Sequence, residues 1–144
     1  MVDVLVAEAI VLDGSARTRD EAIDEAGRLL VAVGAVAEPY VAAMHERETS
    51  VSTFMGNGLA IPHGTNEAKS AIRHTAISFI HYPDTIDWKG QPAEFVVGIA
   101  GAGDDHLTVL QRLAEVFMDE AEIARLRAAT SADEVLAVLG DVRV

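Results

Sequence analysis

Residues Thr75–Ala100 read TAISFIHYPDTIDWKGQPAEFVVGIA, and two segments within them decide the fold. Thr75–Tyr82 (TAISFIHY) and Glu94–Ala100 (EFVVGIA) are nearly continuous apolar runs. A strand with one wet face alternates apolar and polar residues, whereas a strand apolar at nearly every position is covered on both faces. The pattern therefore predicts two buried strands, with Pro83-Asp84 turning the chain after the first.

Helical signals lie on both sides of this pair. Upstream, Ile10–Leu12 reads as a short strand or part of a leading segment, and Asp13-Gly14 as a turn. Thr18-Arg19-Asp20-Glu21 has the form of a capping box. Ala22, Ile23, Ala26, Leu29, Leu30 and Val33 follow at helical spacing up to Gly34. A second helix is expected from Pro39 to about Arg47-Glu48, then a loop over Thr49–Gly58 and a short buried strand, Leu59–Ile61. Pro62 offers no backbone donor and is expected to stop the pairing there.

Downstream, Gly101–Asp104 reads as a loop and Asp105–Met118 as a helix, with Leu107, Leu110, Leu113, Ala114 and Phe117 on one face. Glu122–Ala128 continues as a helix, and Ser131-Ala132-Asp133-Glu134 caps a last one through Leu139. The fold class expected is α/β: a mixed β-sheet covered by helices, an α/β sandwich, in a single domain over residues 1–144.

Composition narrows the function. Half of the 144 residues are hydrophobic and 24% are charged, a balance that supports a packed core. There is no cysteine, which excludes disulfides, thiolate zinc sites and cysteine nucleophiles. A net charge of −12 repels nucleic acid and would steer association with a basic protein partner. Met1–Leu12 carries Asp3 and Glu8 and no basic residue, unlike a secretory signal, and no apolar run reaches membrane-spanning length. A cytoplasmic location is expected.

Three places hold candidate chemistry. The first is GNGLAIPHGT, Gly56–Thr65, in which His63 stands between Pro62 and Gly64 just past a buried strand. Proline stiffens the approach and glycine leaves space beside the ring, so His63 is either a presented imidazole or a plain turn histidine. The second is GAGDDH, Gly101–His106, where His106 falls in the first turn of a helix that follows a strand. Such junctions are where open α/β sheets place ligands. The third is Arg47, whose guanidinium either clamps a phosphoryl group or pairs with Glu46 or Glu48. His81 reads as a satisfied half-buried histidine, and His45 and His74 as solvated. A metal site would need His63, His106 and Asp104 or Asp105 to converge without any short metal-binding spacing, so no metal and no cofactor are expected. No P-loop is present.

At these residues the chain resembles the type-2 enzyme IIA domains of the bacterial phosphoenolpyruvate-dependent sugar phosphotransferase system, over about Ile10–Leu139. The stretch GNGLAIPHGTNEAK, Gly56–Lys69, is similar to the segment holding that family's phosphorylated histidine, here His63, and its HGTNEAK continuation resembles the mannitol branch. Gly98–Leu107 is similar to the segment whose histidine, here His106, lies beside the active one. Arg47-Glu48 matches the arginine preceding the active loop, and Ala129-Thr130-Ser131 with the helix after it matches the family's C-terminal end. His45, Phe54, Trp88 and Asp105 depart from the family's usual choices, Trp88 being an unusual aromatic for the turn in which it is read.

The resemblance implies a phosphocarrier in which His63 is modified on Nε2, with His106 and Arg47 as further catalytic residues. Its donor would be phospho-HPr and its acceptor a cysteine of the IIB domain of a mannitol or polyol permease, so that membrane contact is peripheral. Charged Arg47, and His106 if protonated, would hold phosphoryl oxygens and keep His63 unprotonated. Two other readings remain at this stage. One is a nitrogen-type or regulatory IIA module whose phosphohistidine is a signal; the other is a metal hydrolase built on His63, His106 and Asp104 or Asp105.

Overall fold

The computed structural model describes residues 3–144; Met1 and Val2, at the start of the apolar leading segment, lie outside the described residues. Among the described residues, five strands form one mixed sheet in the order β1-β4-β5-β3-β2. They are β1 (Ile10–Val11), β2 (Phe54–Gly56), β3 (Leu59–Ala60), β4 (Ala76–Trp88) and β5 (Gln91–Ala100). The α-helices are α1 (Arg19–Ala32), α2 (Pro39–Ser50), α3 (Asp105–Phe117), α4 (Glu120–Ala128) and α5 (Ala132–Leu139). β4 and β5 are antiparallel, β1 runs parallel to β4, and β3 runs parallel to β5.

The apolar runs of β4 and β5 are covered on both faces. Phe79, Phe95, Val97 and Ile99 pack with Val109, Leu113 and Phe117 of α3 and with residues of α4 and α5. Ile80, Val96 and Ala100 pack with Ile23, Ala26 and Leu30 of α1 and with Tyr40 and Met44 of α2. The sheet is thus the middle layer of an α/β sandwich, with α1 and α2 on one side and α3–α5 on the other. The caps form as the sequence implies: Thr18 Oγ1 accepts from the Glu21 N–H at 3.2 Å, and Ser131 Oγ from the Glu134 N–H at 3.2 Å.

Four local expectations are corrected. The chain does not turn at Pro83-Asp84. β4 runs on to Trp88 through an irregularity between His81 and Ile86, and the hairpin turns at Lys89 (φ 54°) and Gly90 (φ 89°). Pro83 sits where the ladder is already interrupted, so its missing donor costs no pairing. The presumed loop Thr49–Gly58 holds the end of α2 and strand β2, which forms a hairpin with β3 across Asn57 (φ 54°) and Gly58 (φ 76°). Asn-Gly is a strong two-residue hairpin signal. Leu107 is not on the buried face of α3 but 71% exposed. Trp88 does not lie in a turn. It is fully buried, and its indole N–H donates to Glu48 Oε2 at 3.0 Å.

That last contact completes a buried cluster. The Glu48 carboxylate, on the last full turn of α2, also accepts from the Thr53 N–H at 3.0 Å and from the Thr53 hydroxyl. It thereby pins the chain between α2 and β2. Trp88→Phe should leave the buried carboxylate short of a donor and lower stability by about 1–3 kcal/mol. A urea midpoint equal to that of the wild type would contradict this.

Candidate functional site

The register of β5 sets the position of His63. Leu59 and Ala60 lie opposite Phe95 and Val96, and the same offset carries on to a bridge between His63 and Ile99. Pro62 does not end this alignment, contrary to expectation. Its carbonyl accepts the Ile99 N–H at 2.9 Å, a role for which proline is fully equipped. Tyr40, in the first turn of α2, then bridges the two chains: its hydroxyl donates to the Ile99 carbonyl at 2.8 Å and accepts from the Gly64 N–H at 2.9 Å.

The same strand delivers the second imidazole. β5 ends at Ala100, and α3 begins at Asp105. A Cβ on Gly101 would lie 2.6 Å from His106 Cα, so the chain folds back on itself more closely than any other residue permits. Thr75 fixes the loop, accepting from the Ala102 N–H at 3.0 Å and donating to Asp105 Oδ2 at 2.6 Å. As a result the rings of His63 and His106 meet, with centroids 4.7 Å apart and planes at 52°.

Both rings open on a cavity of about 270 Å³, which is also lined by Tyr40, Arg47, Lys69 and Gly101. Arg47 Nη1 donates to the Val51 carbonyl at 2.8 Å rather than pairing with Glu46 or Glu48. The three residues singled out in the sequence therefore share one cavity. His81, by contrast, is on β4, bonded to Glu94 Oε2 at 2.9 Å and stacked on Phe95; Arg127 grips the same carboxylate with two bonds. His45 lies 3.5 Å from Asp24, and His74 is exposed. Asp105 is committed to Thr75, and no group of three His, Asp or Glu side chains suited to a metal converges among the described residues.

The hydrogen bonds decide the state of His63. Its Nδ1 is 2.8 Å from the Ile61 carbonyl oxygen, which can only accept. Nδ1 therefore carries the proton, and Nε2 keeps its lone pair. Burial lowers the affinity of this ring for a second proton and Arg47 lowers it further; the Ile61 carbonyl and Glu48 oppose them without reversing the direction. His106 is depressed more, to a pKa of about 4, first by burial and then by His63, Lys69 and Arg47. The condition set on His106, that it be protonated, is therefore not met in the resting protein: near neutral pH both rings are uncharged.

Sequence reasoning gave no role to Tyr40, read only as part of a helix start, or to Lys69, although Lys69 closes the quoted GNGLAIPHGTNEAK stretch. No local pattern marks a tyrosine that bridges two distant strands.

The chain belongs to the family described as "Phosphoenolpyruvate-dependent sugar phosphotransferase system, EIIA 2", whose model matches residues 3–142. It is a phosphotransferase component. It is 48% identical over 139 residues, 96% of each chain, to the mannitol-specific phosphotransferase enzyme IIA component of Halalkalibacterium halodurans. The crystal structure of IIA mannitol from Escherichia coli matches with a TM-score of 0.86 and 40% identity, over 93% of this chain and 97% of that one. The complex of Escherichia coli enzyme IIA mannitol with phosphorylated enzyme IIB mannitol matches with a TM-score of 0.87 and 40% identity, over 94% and 96%.

The titration of His106 is checkable. In a ¹⁵N NMR titration its ring should gain a proton only near pH 4, against an ordinary 6.5. Between those values the unfolded chain binds the proton and the folded chain does not. Stability should therefore fall as pH drops through that window, and His106→Gln should flatten the slope. A His106 midpoint at 6.5 or above would contradict the depression.

Proposed function

We propose that His63 accepts a phosphoryl group on Nε2 from phospho-HPr and passes it to a cysteine of a IIB domain, in the uptake of mannitol or a related polyol. The observation that carries this reading is the Nδ1–H···O=C bond from His63 to Ile61, which leaves Nε2 as the nucleophile in a cavity with cationic side chains. The names of the relatives support mannitol as the transported class. The working unit is a single domain over residues 1–144. It acts in the cytoplasm, where the donor and acceptor proteins meet; no helix among the described residues is long and apolar enough to cross a membrane.

In the first step the Nε2 lone pair attacks phosphorus in line with the donor's P–N bond. That bond breaks, and its electron pair returns to the donor imidazole. Because Nδ1 keeps its proton, the His63 ring becomes cationic, and the Ile61 carbonyl takes up part of that charge. In the second step a thiolate attacks phosphorus, and the P–N electron pair returns to Nε2. A cationic ring departs as neutral imidazole, which makes it a good leaving group.

Arg47 supplies a planar fork for two phosphoryl oxygens. His106 supplies an N–H donor, and a phosphoryl anion beside it raises its affinity for a proton. Neither group forms a covalent bond in the transfer.

Incubation with enzyme I, HPr and labelled phosphoenolpyruvate should label His63, and His63→Ala should abolish the label. An acid-labile adduct persisting on that variant would overturn the assignment. His106→Ala and Arg47→Lys should fold normally yet slow transfer by about tenfold to a hundredfold. Wild-type rates in either variant would remove that residue from the chemistry.

A further inference from the structure

The phosphoryl oxygens of the proposed intermediate need positive charge facing them from the cavity wall as well as on the ring that carries them. A phosphoryl group carries roughly −1.5 to −2 near neutral pH. Arg47 contributes one positive charge, and His106 is neutral in the resting protein, its pKa held down to about 4. The chain as a whole is strongly acidic, with a net charge of −12. The positive charge on the phosphorylated His63 ring lies behind the P–N bond and is partly taken up by the Ile61 carbonyl, so Arg47 is the one cation named so far that faces the phosphoryl oxygens from the cavity wall.

We propose that Lys69 is a second such cation: its ammonium contacts a phosphoryl oxygen on His63 while tying down the loop that leads to His106. This rests on the reading of His63 as the phosphoryl acceptor. Lys69 lies in the last turn of the 3-10 helix Asn66–Ala71, which follows directly on the His63 segment, and it lines the cavity that both imidazoles share. Its Nζ donates to the Gly103 carbonyl at 2.9 Å, across to the loop between β5 and α3. An ammonium has three donors, so two N–H groups remain for oxygens. Glu67 lines the same cavity, yet Lys69 is bonded to a carbonyl rather than to that carboxylate. The positive charge is therefore held in place without being neutralised. Lys69 is among the charges that lower the proton affinity of His106, the ring that meets His63 in this cavity.

Lys69 takes part in no covalent step; its contribution is electrostatic. The same side chain explains how the loop 101–104 is held when the phosphoryl group arrives, because the anion adds a second tether from Lys69 to the His63 side of the cavity.

The test uses the whole protein charged through enzyme I and HPr, with Lys69→Met and Lys69→Arg compared with wild type. Lys69→Met should still be labelled at His63, but acceptance and onward transfer should slow by about tenfold to a hundredfold. In ³¹P NMR the second ionisation of its phosphoryl group should move to higher pH, since removal of a nearby cation favours the protonated form. Lys69→Arg, which keeps the charge, should hold the ³¹P midpoint near that of wild type. Wild-type rates and an unchanged ³¹P midpoint in Lys69→Met overturn the proposal. So does slow transfer with an unchanged midpoint and no recovery in Lys69→Arg, which is the behaviour of a purely structural strap. Label on a residue other than His63 in the wild type overturns the underlying reading together with this one.

Discussion

The backbone of Ile99 is the point on which the site depends. Its N–H goes to the Pro62 carbonyl and its C=O to the Tyr40 hydroxyl, and Tyr40 in turn holds the Gly64 N–H. Three segments far apart in sequence thus converge on one residue near the end of β5. Its side chain is fully buried in the core packed against α3. A core this dense resists displacement, so the position of His63 inherits the rigidity of the sheet although His63 itself lies outside a strand. The arrangement suits a group whose chemistry needs in-line geometry between two large partners.

Burial also sets the chemical state of the site. Desolvation is the largest cause of the lowered proton affinity of both imidazoles, ahead of any single neighbouring charge. A solvated histidine would be partly protonated near neutral pH and to that extent would lack a lone pair. Sinking the ring into the cavity removes that loss, and the Ile61 carbonyl chooses which nitrogen is left free. The buried Glu48 works in the opposite sense on His63. Its carboxylate is bonded to Thr53 and Trp88 and directed into the core rather than toward Arg47. The guanidinium beside it in sequence is thereby left for the cavity.

Much of this was legible in the sequence, for identifiable reasons. The two-sided burial of β4 and β5 followed from their nearly continuous apolar runs. Thr18 and Ser131 cap their helices where the residue types required, with Glu21 and Glu134 reaching back to the N–H of the residue before each cap, Arg17 and Thr130. The hairpin at Asn57-Gly58 shows its turn residues in the sequence, but its flanking strands, three and two residues long, are too short to show a strand pattern. Pro83 misled because proline ordinarily ends a strand, and nothing local reveals that the ladder is already irregular there. Leu107 fits the helical period of α3, yet the helix meets the sheet through Val109, Leu113 and Phe117, leaving Leu107 exposed. The convergence of His63, His106 and Arg47 on one cavity needed the family resemblance, since strand order is a matter of long-range pairing that no local pattern encodes. The burial of Trp88 is explained by Glu48, which lies forty residues earlier and which no local pattern pairs with it.

The strand order also explains why the two histidines meet at this end of the sheet. β3 and β5 are adjacent and parallel, so their C-terminal ends point the same way and the segments that follow them emerge side by side. One carries His63, the other leads to His106. β4, antiparallel to β5, begins at this same end, and Thr75 just before it is in place to bond both the Ala102 N–H and the Asp105 carboxylate. A purely parallel arrangement would bring three loops to this edge and leave the loop to α3 without that anchor. A purely antiparallel one would send the residues after β3 to the opposite edge. The mixed sheet is therefore what allows two strand ends to present imidazoles while a strand beginning holds one of them in register.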